Sequence, residues 1–255
     1  MKYFFILSII LLTTSCTELL QLAGSMPSGK AASATVPVSS AENIAGLKQS
    51  LELGITGAVN VLHAENGFYG NELFKLMLPA EAKPIVDNIR LIPGGQELVE
   101  KAILSINRSA EDAVKEAGPI FKNAIRSMTI SDAAQILFGS DNAATEYLKA
   151  STYTQLHDAF RPKIAASLSK PLVAGVSTTE TWNTLSKGYN KAAGSTAGML
   201  LGLKPVTIDL QEYVTGRALD ALFVKVAEEE KAIRTNPAAR VNALLKRVFG
   251  QLDAN

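Results

Sequence analysis

The sequence predicts an all-α fold, a single-domain multi-helix bundle. Three observations predict it. Apolar residues recur with a period near 3.6 from Ala41 onward. Aromatic residues make up only 6% of the chain, beside abundant Ala and Leu, a composition that favours helices over strands. No segment shows the sustained apolar/polar alternation of a half-buried strand.

The elements follow in order. Ser39 and Ser40 are candidate N-caps of a first helix, with Ile44, Leu47, Leu51, Ile55, Val59 and Leu62 on one face. The apolar but irregular stretch 67–79 reads as a short helix plus an extended run packed on the core. Gly94 and Gly95 separate a helix near 81–91 from a longer one over Leu98, Ile103, Ile106, Ala110 and Val114. Gly118-Pro119 marks a break, after which Ile120, Phe121, Ala124, Ile125 and Met128 continue the apolar face. Thr129 with Asp132 forms a capping-box variant before residues 133–137. Gly139 stops that helix and Asp141 is placed to cap the next, which carries Ala144, Tyr147, Leu148, Leu156 and Phe160 and ends around Pro162 and Pro171. Trp182, Leu185 and Tyr189 keep helical spacing. The segment 194–205, with Met199, Leu200, Leu201 and Leu203, is glycine-rich and apolar, and reads as a buried or partner-facing loop. Asp209 with Glu212 opens a long amphipathic helix. Asn236-Pro237 is a stop-start signal for a last helix that turns Val241, Leu244, Leu245, Val248 and Phe249 inward, with Gly250 at C′ and 251–255 as a tail.

The N-terminus has a different character. Lys2, the apolar run from Tyr3 to Leu12 and the small residues Thr13, Thr14 and Ser15 lead into Cys16, the sole cysteine. That order is a secretory signal, too short for a permanent membrane span. A cleavage site ending on cysteine resembles a bacterial lipobox, with Cys16 as the lipid-attachment residue. Residues 1–15 are thus expected to be the signal peptide, 16–40 the lipidated cysteine and a flexible tether, and 41–250 the helical domain. As a coil the tether spans roughly 25–30 Å. Removing residues 1–15, which contain Lys2 and no acid, leaves 24 of the 25 basic residues against 24 acidic ones. This balance argues against nucleic acid as a partner and against a polybasic membrane patch. With Cys16 committed to lipid, no thiol remains for disulfides, thiol catalysis or cysteine-ligated metal.

Several stretches occur in a recognisable order. They are Asn107-Arg108-Ser109-Ala110-Glu111, Met128-Thr129 to Leu137, Ala143-Ala144-Thr145-Glu146-Tyr147 and Ala218-Leu219-Asp220-Ala221-Leu222-Phe223. Glu228-Glu229-Glu230, Ile233-Arg234, Asn236-Pro237-Ala238-Ala239-Arg240 and Leu244-Leu245-Lys246-Arg247-Val248-Phe249-Gly250 follow. The pattern resembles the bacterial family known as domain of unknown function 4197, over roughly 41–250. The resemblance implies one helical domain in secreted or lipid-anchored envelope proteins, and it carries no catalytic residue with it.

The residues themselves offer little chemistry. His63 and His157 lack the paired spacing of a zinc motif, so no metal and no cofactor are expected. Ser151 and Thr152 have no identifiable base, and 194–202 lacks the Lys-Ser/Thr ending of a phosphate loop. Glu228, Glu229 and Glu230 spread around a helix and read as a solvated face, the alternative being that one of them turns inward to meet Arg240 or Arg108; Glu230–Arg234 is an i,i+4 pair worth ~0.2–0.5 kcal/mol on an exposed helix. Asn107, Arg108, Glu111, Arg234 and Arg240 are the candidate polar cluster: such arginines either lock helix junctions or bind an anionic ligand. The expected function is that of a lipid-anchored protein on the periplasmic side of the bacterial cell envelope. Thr17 in place of the aspartate that retains lipoproteins at the inner membrane points to the outer one. Its expected role is a non-enzymatic binding or scaffold module for an envelope protein. A carrier of an apolar ligand between helices is the alternative, and a hydrolase-like envelope enzyme the third reading.

Overall fold

Helix α1 (Ser40–His63) starts where the Ser39 side chain accepts from the Glu42 N–H while the Glu42 carboxylate accepts from the Ser39 N–H, a reciprocal capping box. The computed structural model containing it describes residues 37–127 and 136–254. Cys16, the signal segment, nearly all of the tether, Met128 and the Thr129–Asp132 capping pair lie outside the described residues.

After α1 come α2 (Lys83–Asp87), α3 (Gly95–Val114), α4 (Ala117–Ser127), α5 (Ala143–Leu168) and α6 (Thr178–Ala193). The short α7 (Thr196–Leu200), the long α8 (Leu210–Thr235) and α9 (Ala243–Phe249) complete the set. Among the described residues the chain is all-α, with no strand and a single isolated bridge between Val173 and Val176. None of these helices is long and apolar enough to cross a membrane.

Residues Val38–Asn255 form one compact unit. The seam of that unit is α1 against α8, with α5 on the other flank of α8 and α3 packed against both α5 and α6. Leu47, Leu51 and Leu62 of α1 meet a core completed by Val214, Ala218 and Leu222 of α8 and by Leu148 and Ile164 of α5, all fully buried. Phe121 of α4 meets Phe223 edge to face, with ring centroids 5.2 Å apart. Gly46 lets α9 lie directly on α1: a Cβ there would sit 2.8 Å from both γ carbons of Val248.

Local chemistry modifies several expected elements. Residues 64–74 are mostly turns and 75–79 have no regular secondary structure, with no helix in that stretch. The expected 81–91 helix is broken into a 3-10 turn at Ala80–Ala82, the single turn of α2 with Pro84 near its start, and a 3-10 turn at Ile89–Leu91. Pro162 does not end α5. It is exposed inside the helix, where the carbonyl of exposed Asp158, deprived of its N–H partner, can be hydrated. Asn236 caps only the 3-10 turn Pro237–Ala239, and Asn242 caps α9 instead. Val241 therefore precedes the last helix and is exposed rather than inward. Gly250 continues in right-handed geometry into a 3-10 turn, Gly250–Ala254.

Candidate functional site

The candidate polar residues fall into two arrangements on different elements. In the first, Asn107 and Glu111 lie four residues apart on α3 and therefore share a face. Asn107 acts as a surrogate backbone. Its Oδ1 accepts from the Leu76 N–H at 2.9 Å, and its Nδ2 donates to the Leu76 and Ile103 carbonyls at 2.8 Å. One oxygen of buried Glu111 accepts from the N–H groups of Phe68 and Tyr69, each at 3.1 Å. The other accepts from Arg108 at 2.6 Å, and Arg108 also reaches Glu65 and Asn66. His63 Nδ1 donates to the Glu111 carbonyl at 2.8 Å. Asn107, Arg108 and Glu111 hold the irregular 64–76 segment, supplying partners for the backbone groups of its buried residues Phe68 and Leu76.

The second arrangement corrects the expectation of a solvated acidic face. Glu230 is 1% exposed and Arg234 4%. The Glu230 carboxylate accepts from the Ala144 and Thr145 N–H groups at 3.0 and 2.8 Å and from the Thr145 hydroxyl at 2.6 Å. These are the second and third residues of α5, whose own N-cap, Asn142, makes no side-chain cap bond. Asp141, expected to cap this helix, does not: α8 supplies the cap from 85 residues away. Arg234 donates from Nε to Glu230 at 2.8 Å and from its two terminal nitrogens to the Leu137 and Ile136 carbonyls.

Arg240, 2% exposed, donates to the Ile233 and Arg234 carbonyls and grips both oxygens of Asp253. Hydrogen bonding from Arg240 holds the Asp253 carboxyl below its usual range. The end of the chain is thereby fastened to the end of α8. A third polar junction escaped the sequence reading. Asp112 of α3 accepts from Ser167 and Lys170 at the end of α5 and from Lys115. Burial pushes its carboxyl up, but those hydrogen bonds outweigh it and hold the pKa at about 2.

These geometries occupy the buried charged groups Glu111, Glu230, Arg234 and Arg240. Ser151 and Thr152 donate to the Tyr147 and Leu148 carbonyls of their own helix, so neither hydroxyl faces a base. His157 Nε2 lies 3.0 Å from Glu212 on the surface of α5. Among the described residues no group of three or more His, Cys, Asp or Glu side chains could hold a metal ion.

A groove of about 330 Å³ lies between α1 and α4. Leu53, Val59 and Ile125 line it with Glu52 and Lys122, and the buried Oε1 of Gln49 there has no hydrogen-bond partner. Sequence periodicity could not reveal it, because its residues are flanking positions of two helices that also contribute to the core.

A model of the family described as "protein of unknown function (DUF4197)" matches residues 37–250. The chain belongs to this family. The DUF4197 match therefore ends at Gly250, just before Asp253, the partner that Arg240 holds. No curated protein and no solved structure matches the chain.

Proposed function

We propose that this DUF4197 protein is a non-enzymatic binding or scaffold module of the bacterial envelope. In this reading it is tethered by a lipid on Cys16 to the periplasmic side of a membrane, the outer one by its Thr17. The carrying observation is where the buried charges go. Glu111, Glu230, Arg234 and Arg240 all bind backbone or one another and make junctions between segments, so these buried charges are committed to holding the fold. The α1/α4 groove is the surface this reading assigns to the partner. Its apolar floor between Glu52 and Lys122 suits an amphipathic helix with charges of both signs, and the unpaired Gln49 oxygen offers an acceptor.

The alternative, a carrier of an apolar ligand, finds less support. The groove is at the low end of ligand-pocket volumes and opens to solvent. A photo-crosslinking residue in place of Leu53, used in intact cells, tests the reading. One envelope protein captured from Leu53 but not from Lys83, and lost on Val59→Asp, supports it. Equal capture from both positions, or none, refutes it.

A further inference from the structure

The turn after α6 presents its apolar side chains outward. Met199, Leu200 and Leu201 are 64%, 84% and 69% exposed, whereas the apolar faces of the neighbouring helices are buried. Such clustering is unusual enough on a soluble surface to need a reason. The turn is built to hold them there. Ser195 caps α7 by accepting from the Gly198 N–H, and Gly198 packs so closely that a Cβ would meet the Ala192 carbonyl oxygen at 2.2 Å. At the other end Leu203 N–H donates to the Gly198 carbonyl and Gly202 N–H to that of Met199, with Gly202 at φ +70°. That pair of bonds closes a Schellman motif.

Although the chain as a whole is near neutral, the sequence flanking the tip carries one sign of charge. Between Glu180 and Asp209 the chain contains Lys187, Lys191 and Lys204 and no acid. All three lysines are exposed, and none makes an ion pair among the described residues. Lys191 lies in the last turn of α6 and Lys204 follows the tip directly. Elsewhere lysines such as Lys83, Lys115, Lys170 and Lys225 are paired with carboxylates.

We propose that Met199, Leu200 and Leu201 form a membrane-inserting tip that enters the headgroup region of an anionic phospholipid surface, with Lys187, Lys191 and Lys204 pairing to lipid phosphates. Exposed apolar side chains flanked along the chain by unpaired lysines match the two attractions that hold peripheral proteins at such surfaces. A protein partner is a poorer fit, because stable interfaces engage roughly 20–30 residues a side and this tip offers three apolar ones. The contact does not rest on Cys16 or on the α1/α4 groove. It would fix the orientation of the body against the bilayer.

A local probe tests this on the full chain. Leu200→Trp places an indole on the tip at a position that packs against little. Its emission, taken as the difference from the parent with buried Trp182, is followed on adding vesicles of phosphatidylethanolamine and phosphatidylglycerol, some with brominated acyl chains. A blue shift with quenching by bromine, lost in Lys187→Gln/Lys191→Gln/Lys204→Gln and weakened by salt, is the expected result. Val241→Trp, at a comparably exposed apolar position, should show neither. An unchanged spectrum with vesicles overturns the proposal, as does an equal response from Val241→Trp. A blue shift without lipid also overturns it. If that shift grows with protein concentration, a second copy covers the tip; if it is constant, the chain itself does. A shift that requires added envelope protein rather than lipid assigns the tip to a protein partner and likewise refutes it.

Discussion

Replacing Glu230 by alanine should be among the most damaging single changes in this protein. The carboxylate satisfies two N–H groups at the start of α5 and the Thr145 hydroxyl, and it neutralises Arg234, which is equally shut off from water. Glu230→Ala strands the Arg234 charge in the interior and leaves two backbone donors without partners. Removing one member of a buried ion pair costs about 3–5 kcal/mol, and the lost cap overlaps with that figure rather than adding fully to it. For a domain of this size each kcal/mol lowers Tm by about 2–4 °C, so the melting point should fall by roughly 6–20 °C. Urea denaturation followed by circular dichroism gives the free energy directly. A double-mutant cycle with Arg234→Ala should return a coupling of about 2 kcal/mol or more, because the second change removes the stranded charge. Lys83→Ala, which breaks an exposed pair with Asp87, is the control and should cost under about 1 kcal/mol. A Glu230→Ala loss no larger than that control would show that the cap and the pair contribute nothing beyond a surface contact.

The other predictions concern the remaining junctions and the N-terminus. Arg240→Ala should lower Tm far more than Lys246→Ala, since Arg240 alone joins the Ile233 and Arg234 carbonyls to Asp253; equal melting points would refute this. Asp112 titrates at about 2 in the folded protein against 3.8 as a free side chain, so its contribution to stability is complete above pH ~4 and is lost as pH falls from about 4 towards 2. Asp112→Asn should therefore flatten the acid limb of the stability curve in that window, and an unchanged slope would contradict the assignment. Gly46→Ala should cost about 1–3 kcal/mol by overpacking against Val248 and be partly rescued by Val248→Ala; a neutral Gly46→Ala would mean that α9 shifts freely on α1. Cys16→Ser should abolish radiolabelled fatty-acid incorporation, and a parent protein that carries no label would remove the proposed anchor.

The sequence made the long helices legible because apolar residues recur at helical spacing even where, as on α3, more than one face is buried. The apolar residues of α1 and α8 recur at helical spacing, and Ser39 and Asp209 sit where caps belong. Caps supplied from a distance were not legible. Nothing in Asn142 or its neighbours indicates that Glu230 will serve α5, and the i,i+4 rule that reads Glu230 with Arg234 has no term for burial by another element. Pro162 misled for a similar reason: a proline costs a hydrogen bond, but the cost is modest where the orphaned carbonyl meets water. Of the candidate residues, Asn107, Arg108 and Glu111 were grouped with Arg234 and Arg240 by their chemistry. Chemistry does not say which backbone each will hold. The Met199–Leu201 turn was visible as composition, but its outward direction depends on Gly198 pressing against α6.

The contact of Gly46 with Val248 joins two points 202 residues apart, and α8 lies on the same α1 helix. The earliest helix in the described chain thus has its mate among the latest. A ribosome would have released nearly the whole polypeptide before α1 could find its seat, and closing so long a loop favours slow, late assembly. Until then the stripe of Leu47, Leu51 and Ile55 stays open to water or to whatever escorts the chain. Loss of α1 from one end, or of α8 and α9 from the other, would open the same seam. An incomplete copy of this protein should accordingly be a substrate for proteases rather than a smaller folded protein.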